Sequence, residues 1–172
     1  QRNKIDKITA LSFIALNDLI ENYDVDLDLF RGERIGIVFG PAFIGLGSLQ
    51  QKYSKYQQGK RTREQATTVV KTMADGPAAW LAMYLGANGP NFCCISACAT
   101  GLTNLIAAIQ QIELGKTDIM LTGGVETATA FFINGFNAAG TLSQSEDPAK
   151  SSRPFDQDRD GFVFSEGAAM LQ

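Results

Sequence analysis

The sequence contains no histidine among its 172 residues. Imidazole is a common general acid–base group near neutral pH and a frequent metal ligand. This chain alone therefore supplies neither histidine-based proton transfer nor a histidine-ligated metal centre, and we expect no metal site. It also lacks an apolar run of about 18 residues, so we predict no membrane span. Its first residues lead into an amphipathic pattern and not into the short apolar core of a signal peptide.

Cysteine and clustered positive charge are also scarce. The three cysteines match no disulfide spacing, which fits free thiols in a reducing compartment, and we expect a cytoplasmic protein. The net charge is −3 and the basic residues are scattered, whereas nucleic-acid binding needs a clustered positive face. Gly45-Leu46-Gly47 lacks the third glycine of a dinucleotide fingerprint. We therefore predict no nucleic-acid partner and no cofactor.

Hydrophobic residues make up 45% of the chain, which is typical of a soluble globular protein of one domain. Helical and strand-like apolar patterns alternate along it, and this alternation predicts an α/β fold with a sheet covered on both faces. The chain opens almost within a helix and stops within a strand-like run, so we interpret residues 1–172 as part of a longer domain, incomplete at both ends. The predicted helices are 4–22, 45–57, 64–74, 77–85 and 100–114, and the predicted strands are 34–39, 91–97, 118–122 (ended by Gly123-Gly124) and 167–172.

Cys98 is the strongest candidate for a reactive group, because it lies between a predicted buried strand and a predicted helix. A thiol there meets the positive end of the helix dipole, which favours the thiolate, and nearby backbone N–H groups can form part of an oxyanion hole. Small neighbours such as Ala97 let a substrate carbonyl reach the sulfur. The alternative is a buried structural cysteine, an interpretation that we accept for Cys93 and Cys94 because both fall within the predicted strand.

Three motifs, in order along the chain, give a resemblance to a known family. Ser96-Ala97-Cys98-Ala99-Thr100-Gly101 resembles the nucleophile segment of the β-ketoacyl-acyl carrier protein synthases of the thiolase superfamily. Residues 115–126 (GKTDIMLTGGVE) resemble the strand that follows the nucleophile helix in that family. Residues 152–156 (SRPFD), 159–163 (RDGFV) and 166–168 (EGA) resemble a third family motif.

The resemblance implies a thiolase-like fold of five layers, αβαβα, of which this chain covers most of the first half. It implies that Cys98 accepts an acyl chain from acyl carrier protein and condenses it with malonyl-acyl carrier protein by a decarboxylative Claisen reaction, in fatty-acid or polyketide biosynthesis. The two family histidines would lie in the missing C-terminal half, so this piece alone would be inactive. A non-catalytic partner subunit of the chain-length-factor type is the alternative, and a thiolase is a third possibility that residues 152–163 disfavour.

The resemblance also suggests binding residues. Phe43, Phe132 and Phe136 fall on positions that line the acyl pocket, and bulky side chains there predict a preference for short or unusually shaped acyl chains; plain core packing is the competing interpretation. The basic residues Arg2, Lys4 and Lys7 are candidates for docking an acidic carrier protein. Family dimers join near the nucleophile strand, so we expect a homodimer through residues 91–97, or a heterodimer with a ketosynthase-like subunit.

The run Asp156-x-Asp158-x-Asp160-Gly161 looks like the start of an EF-hand calcium loop. That loop needs a bidentate glutamate at its twelfth position, where this chain has Gly167. We therefore predict that the charged residues here form structural ion pairs and bind no calcium.

Overall fold

The computed structural model describes residues 5–23, 26–43, 46–60 and 68–172. They form two compact units, one made of Gln1–Glu126 with Gly167–Gln172 and the other of Thr127–Glu166. In the first unit the elements are α1 (Lys7–Tyr23), a 3-10 helix (Leu27–Phe30), β1 (Ile35–Gly40), α2 (Leu46–Gln57), α3 (Thr68–Thr72), α4 (Gly76–Leu85), β2 (Asn91–Phe92), a 3-10 helix (Ala97–Ala99), α5 (Thr100–Glu113), β3 (Ile119–Glu126) and β4 (Gly167–Leu171).

The four strands of the first unit form one sheet in the order β2-β1-β3-β4. β1 runs parallel to both β2 and β3, with Ile37 opposite Asn91 on one side and Leu121 on the other. β4 pairs antiparallel with β3, with Gly124 opposite Ala169. Strands therefore alternate with helices around a largely parallel sheet, and the predicted α/β class is confirmed.

Both faces of this sheet are covered by helices. On one face the core joins Ile37 and Phe39 of β1 to residues of α1 and α4, such as Leu16 and Leu81. On the other face Val38 packs with Met120 and with Ala108 of α5. Every residue of β1 is buried, which explains why its sequence is apolar throughout and does not alternate.

Two predicted strand boundaries are wrong. β2 ends at Phe92 and not at residue 97, because the backbone after it leaves the ladder and the Cys94 amide donates instead to the side chain of Asn104. β3 does not end before Gly123-Gly124 but runs through them to Glu126. Gly123 has φ of 144°, and a Cβ there would overlap the Ala169 carbonyl oxygen, so only glycine fits this place in the ladder.

The second unit holds α6 (Ala130–Ala138) and α7 (Pro148–Ser151). Thr129 caps α6, since its hydroxyl accepts a hydrogen bond from the Phe132 amide. An isolated parallel bridge joins Leu142 to Phe162. Within the described part of the chain, no helix is both long and apolar enough to cross a membrane.

Candidate active site

The carboxyl ends of three parallel strands bring the main candidate residues to one edge of the sheet. Phe43 follows β1, the segment leading to Cys98 follows β2, and Glu126 ends β3. The Glu126 carboxylate accepts hydrogen bonds from the amides of Ala42 (3.1 Å) and Phe43 (3.2 Å), which ties the end of β3 to the loop after β1. Ligands of open α/β sheets bind beyond such carboxyl ends.

Cys98 lies in the short 3-10 helix immediately before α5, and its side chain is exposed. The residue before it, Ala97, has φ of 52°, in the left-handed region that costs a non-glycine residue roughly 1–2 kcal/mol. The chain therefore makes a sharp turn that presents the thiol outward at the start of a helix. We call residues 96–100 the elbow. This agrees with the predicted strand–turn–nucleophile–helix arrangement, although the strand is shorter.

The Thr100 hydroxyl links the two sides of the elbow. It accepts a hydrogen bond from the Ser96 amide at 3.0 Å and donates one to the Ala97 carbonyl at 2.7 Å. Thr100 itself is buried, with 4% of its surface exposed. A second contact joins the hydroxyls of Ser96 and Thr103 at 2.5 Å. The left-handed turn is therefore held by uncharged hydroxyl groups of the following helix.

Asn104 connects the segment before the elbow to the centre of the sheet. Its side chain is fully buried, accepts from the Cys94 amide and donates to the Gly123 carbonyl, both at 2.9 Å. Our sequence reasoning missed this residue. The signal was present, because an amide side chain flanked by the apolar residues Leu102, Leu105 and Ile106 of α5 indicates a buried polar group that needs a partner.

The start of α5 lies directly on β3 with no side chain between them. A Cβ built on Gly124 would lie 3.3 Å from the Cα of Gly101, a spacing tighter than most contacts of that kind. The two glycines thus let the nucleophile helix approach the sheet closely, and this approach brings the Asn104 amide within reach of Gly123.

The other two cysteines differ from Cys98 in their surroundings. Cys93 and Cys94 are half-buried. Burial, the neighbouring Cys94 and the charge of Asp75 raise the pKa of Cys93 to about 11, which keeps that thiol protonated near neutral pH. The sequence had led us to expect both residues within the strand, but they follow β2. Their interpretation as structural thiols agrees with this environment.

The remaining predicted binding residues fall in separate places. Phe43 is half-buried beside Glu126 in the first unit, and Ala97 occupies the elbow. Phe132 and Phe136 belong to α6 of the second unit, where both pack on Phe164 with ring centroids 6.4 and 5.3 Å apart. Lys7 is exposed at the start of α1, whereas Arg2 and Lys4 lie outside the described residues.

In the aspartate run of the second unit, Asp160 is bound by other groups of the protein itself. Asp160 accepts from the Ser143 hydroxyl (2.8 Å) and the Gln144 amide (3.0 Å) and lies 3.8 Å from Arg153. The Ser143 hydrogen bond, with smaller contributions from the Gln144 amide and Arg153, lowers the pKa of Asp160. The described residues contain no cluster able to hold a metal ion. The predicted structural ion pair is thus present between Arg153 and Asp160.

Comparisons with known proteins point to one family. A family model described as "Beta-ketoacyl synthase, N-terminal domain" matches residues 1–172. A 3-oxoacyl-[acyl-carrier-protein] synthase 2 of Staphylococcus aureus is 30% identical over 172 residues, which cover 99% of this chain and 43% of the relative. The chain therefore spans less than half the length of this curated relative.

Two solved structures share the fold. A β-ketoacyl synthase from Burkholderia phymatum STM815 superposes with a TM-score of 0.79 at 25% identity, covering 98% of this chain and 42% of that one. A ketosynthase in complex with its chain length factor, from Xenorhabdus doucetiae, gives a TM-score of 0.76 at 26% identity, covering 96% and 40%.

Proposed function

The chain belongs to the β-ketoacyl synthase family, whose N-terminal domain model matches residues 1–172, and on this premise we propose that it forms the nucleophile-bearing part of a condensing acyltransferase. Cys98 is the acyl-accepting residue in this proposal. The carrier protein in the name of the Staphylococcus aureus relative is the expected acyl donor. The product would serve fatty-acid or polyketide biosynthesis.

The exposed position of Cys98 is the observation that carries this proposal. Of the three thiols, Cys98 is the exposed one, at a sharp elbow and at the start of a helix, while Cys93 and Cys94 are half-buried. Ala99, at the N-cap of α5, makes no side-chain capping hydrogen bond, so no capping side chain covers the start of α5, where a developing negative charge is favoured. The Cys98 amide would supply one oxyanion donor.

The proposed chemistry proceeds in two transfers. The Cys98 thiolate attacks the carbonyl of acyl-carrier protein, forms a new thioester and releases the carrier thiol. Malonyl-carrier protein then loses carbon dioxide, and the carbanion attacks the acyl carbon on Cys98. The bond from carbon to Cys98 Sγ breaks, which gives a β-ketoacyl-carrier protein two carbons longer and restores the thiolate.

The second transfer needs groups that this chain does not contain. The sequence has no histidine, and the resemblance implies that two histidines assist decarboxylation from a C-terminal half. We propose that residues 1–172 are the N-terminal part of a larger domain. The outward face of α5 supports this, because Leu102, Ile106 and Ile109 are each about half exposed or more. We expect this chain alone to be acylated but to form no carbon–carbon bond.

Selective acylation tests the assignment of Cys98. The 172-residue chain is incubated near neutral pH with the hexanoyl thioester of N-acetylcysteamine, and acylated peptides are quantified by mass spectrometry. We expect Cys98 to react at least about tenfold faster than Cys93 or Cys94, since burial keeps Cys93 protonated. The variant Cys98→Ser should lose this reaction, while Cys93→Ser should retain it.

Equal and slow reaction of all three thiols would overturn this assignment. It would favour the second candidate, a non-catalytic partner subunit. The Xenorhabdus doucetiae structure, in which a ketosynthase is in complex with its chain length factor, is the observation behind this candidate. The presence of an exposed Cys98 favours the catalytic role.

We also propose that Phe43 limits the acyl chain from the β1 side of the site. The Glu126 carboxylate accepts a hydrogen bond from its backbone amide, so the ring moves by side-chain rotation about a fixed backbone position. From the resemblance, Phe132 and Phe136 are also proposed to contact the acyl chain, although their packing on Phe164 equally fits a core role. A preference for short chains predicts faster acylation by the six-carbon than by the sixteen-carbon thioester. Phe43→Ala should lower the ratio of these two acylation rates.

Two association surfaces complete the proposal. β2 lies at the edge of the sheet, which supports self-association or pairing with a ketosynthase-like subunit there. The substitution of exposed Ile95 by Lys should then weaken any dimer seen by sedimentation equilibrium.

Exposed Lys7 is proposed, with Arg2 and Lys4, to dock acidic carrier protein. Charge reversal by Lys7→Glu should raise the KM for carrier protein but not for a small thioester.

A further inference from the structure

The Thr100 hydroxyl holds the peptide group that precedes the proposed nucleophile. It donates at 2.7 Å to the carbonyl of Ala97, and that carbonyl shares one peptide group with the amide of Cys98. A peptide group is planar and trans, so its C=O and N–H point in opposite directions. Whatever fixes the direction of the Ala97 carbonyl also fixes the direction of the Cys98 amide.

The same hydroxyl fixes the other side of the left-handed residue. It accepts from the Ser96 amide at 3.0 Å, so one oxygen atom contacts the backbone before and after the Ala97 turn. The sheet ladder ends at Phe92, and the backbone of the elbow contributes two hydrogen bonds of its own, from the Ala99 amide to the Ser96 carbonyl at 3.1 Å and from the Thr100 amide to the Ala97 carbonyl. A left-handed alanine persists where surrounding contacts hold it, and Thr100 supplies two of them.

We propose that Thr100 is a positioning residue for the acylation of Cys98. Its hydroxyl keeps Ala97 in the left-handed conformation and aims the Cys98 amide at the oxygen of the reacting thioester. This inference rests on the proposed function, in which Cys98 is the acyl acceptor, and adds a residue that acts on the direction of the oxyanion donor.

The step that Thr100 serves is the first acyl transfer. Cys98 Sγ forms a bond to the carbonyl carbon, and the electron pair of the C=O bond moves onto the oxygen, where the Cys98 amide donates to it. The oxyanion then collapses, the bond to the departing sulfur breaks, and the departing thiolate takes a proton from water. A donor aimed away from that oxygen stabilises the transition state less.

The variants Thr100→Ser and Thr100→Ala isolate the hydroxyl, since they differ from each other by that one oxygen. The 172-residue chain carrying each change is acylated with the hexanoyl thioester of N-acetylcysteamine, and Cys98 is alkylated in parallel with iodoacetamide. Alkylation needs an accessible thiolate but no oxyanion donor. We expect Thr100→Ala to slow acylation about tenfold and alkylation less than about twofold, and Thr100→Ser to restore acylation to within about twofold of the unaltered chain.

Thr117→Ala is the matched control. Thr117 is as deeply buried as Thr100, but its hydroxyl has no hydrogen-bond partner within the described part of the chain and lies at the opposite end of α5. The same atoms are removed there, so a general loss of packing would affect both variants alike. We expect Thr117→Ala to leave Cys98 acylation unchanged.

Three results would overturn the role of Thr100: an unchanged acylation rate in Thr100→Ala, an equal loss in Thr100→Ser, or a parallel loss of acylation and alkylation. In each case the unaltered chain would still acylate Cys98 selectively, whereas failure of the proposed function removes that selectivity. Should Thr100→Ala unfold, with Cys93 alkylated as fast as Cys98, hydrogen exchange in the unaltered chain decides. The Ser96 amide should exchange at least about tenfold slower than a free amide, and free exchange would contradict its hydrogen bond to the Thr100 hydroxyl.

Discussion

Two residues other than glycine have left-handed backbone in the described chain, one in each unit. Ala97, with φ of 52°, precedes Cys98, and Phe155, with φ of 66°, lies in the aspartate-rich loop with its ring fully exposed. Around Ala97 the supporting side chain is the buried, uncharged Thr100. Around Phe155 the chain is closed by the Asp156 amide donating to the Arg153 carbonyl, beside the partly exposed ion pair of Arg153 and Asp160.

The difference indicates what each turn depends on. Buried neutral hydrogen bonds are insensitive to salt and to pH near neutrality, but they cost much when one partner is deleted. Exposed charged contacts are screened by salt and titrate with acid, and single deletions cost little. We therefore expect the elbow of the first unit to respond to mutation, and the loop of the second unit to respond to solution conditions.

The largest expected effect is that of Asn104→Ala. The change leaves the Cys94 amide and the Gly123 carbonyl without their partner inside the core, and each unsatisfied buried group costs about 1–3 kcal/mol. We expect the free energy of unfolding to fall by about 3 kcal/mol, measured by urea denaturation. Asn137→Ala, at an exposed site of α6, should change it by less than about 0.5 kcal/mol.

Cys93 provides the next test, of the claim that burial keeps this thiol protonated just before the elbow. Its pKa of about 11 means that little thiolate is present near neutral pH. Its alkylation by iodoacetamide should rise about tenfold per pH unit between pH 8 and 10, because only the thiolate reacts. Peptide mass spectrometry measures this rate, and a rate independent of pH in this range would contradict the burial of the thiol.

Acid should affect the second unit through Asp160. Its folded-state pKa is lowered, chiefly by the Ser143 hydrogen bond, so its carboxylate stabilises the loop at pH values above the unfolded value of about 4. That contribution is lost as the pH falls through the folded value. We expect the ring signals of Phe162 and Phe164 to shift below about pH 4, as followed by NMR.

Asp160→Asn should remove this acid response, whereas Asp118→Asn should leave it in place. The pKa of Asp118 is also lowered, through its hydrogen bond with Arg34, but that pair joins the starts of β1 and β3 in the first unit. A response that survives Asp160→Asn would assign the acid sensitivity to another group.

The smallest expected effect on stability comes from placing glycine at each left-handed position. Glycine relieves the backbone strain but loses more entropy on folding, so Ala97→Gly and Phe155→Gly should each change the free energy of unfolding by no more than about 1 kcal/mol. Their effects on acylation should differ. We expect Ala97→Gly to slow Cys98 acylation about threefold because the elbow loosens, and Phe155→Gly to leave it unchanged. Equal rates of Cys98 acylation in the two variants would contradict the claim that only the turn at Ala97 supports this reaction.

Much of the fold and the main candidate of the site could be predicted from local patterns. Helical spacing of apolar residues predicted α1, α4 and α5, and continuous β-branched or apolar runs predicted β1 and β3. Cys98 stood out because it falls between a strand-like run and a helix. These signals lie within short stretches of chain, where periodicity reports which side of an element faces the core.

The parts that could not be predicted depend on partners distant along the chain. That β2 stops after two residues follows from Asn104 taking the Cys94 amide, and that β3 runs through its glycines follows from β4 pairing across them. The bond from Glu126 to the loop of Phe43 spans 83 residues. The sequence by itself determined the helices, the apolar strands and the exposed thiol's place between them. Tertiary structure alone decided which buried polar groups meet, because a hydrogen bond needs two partners within about 3 Å and no local pattern records the distant one.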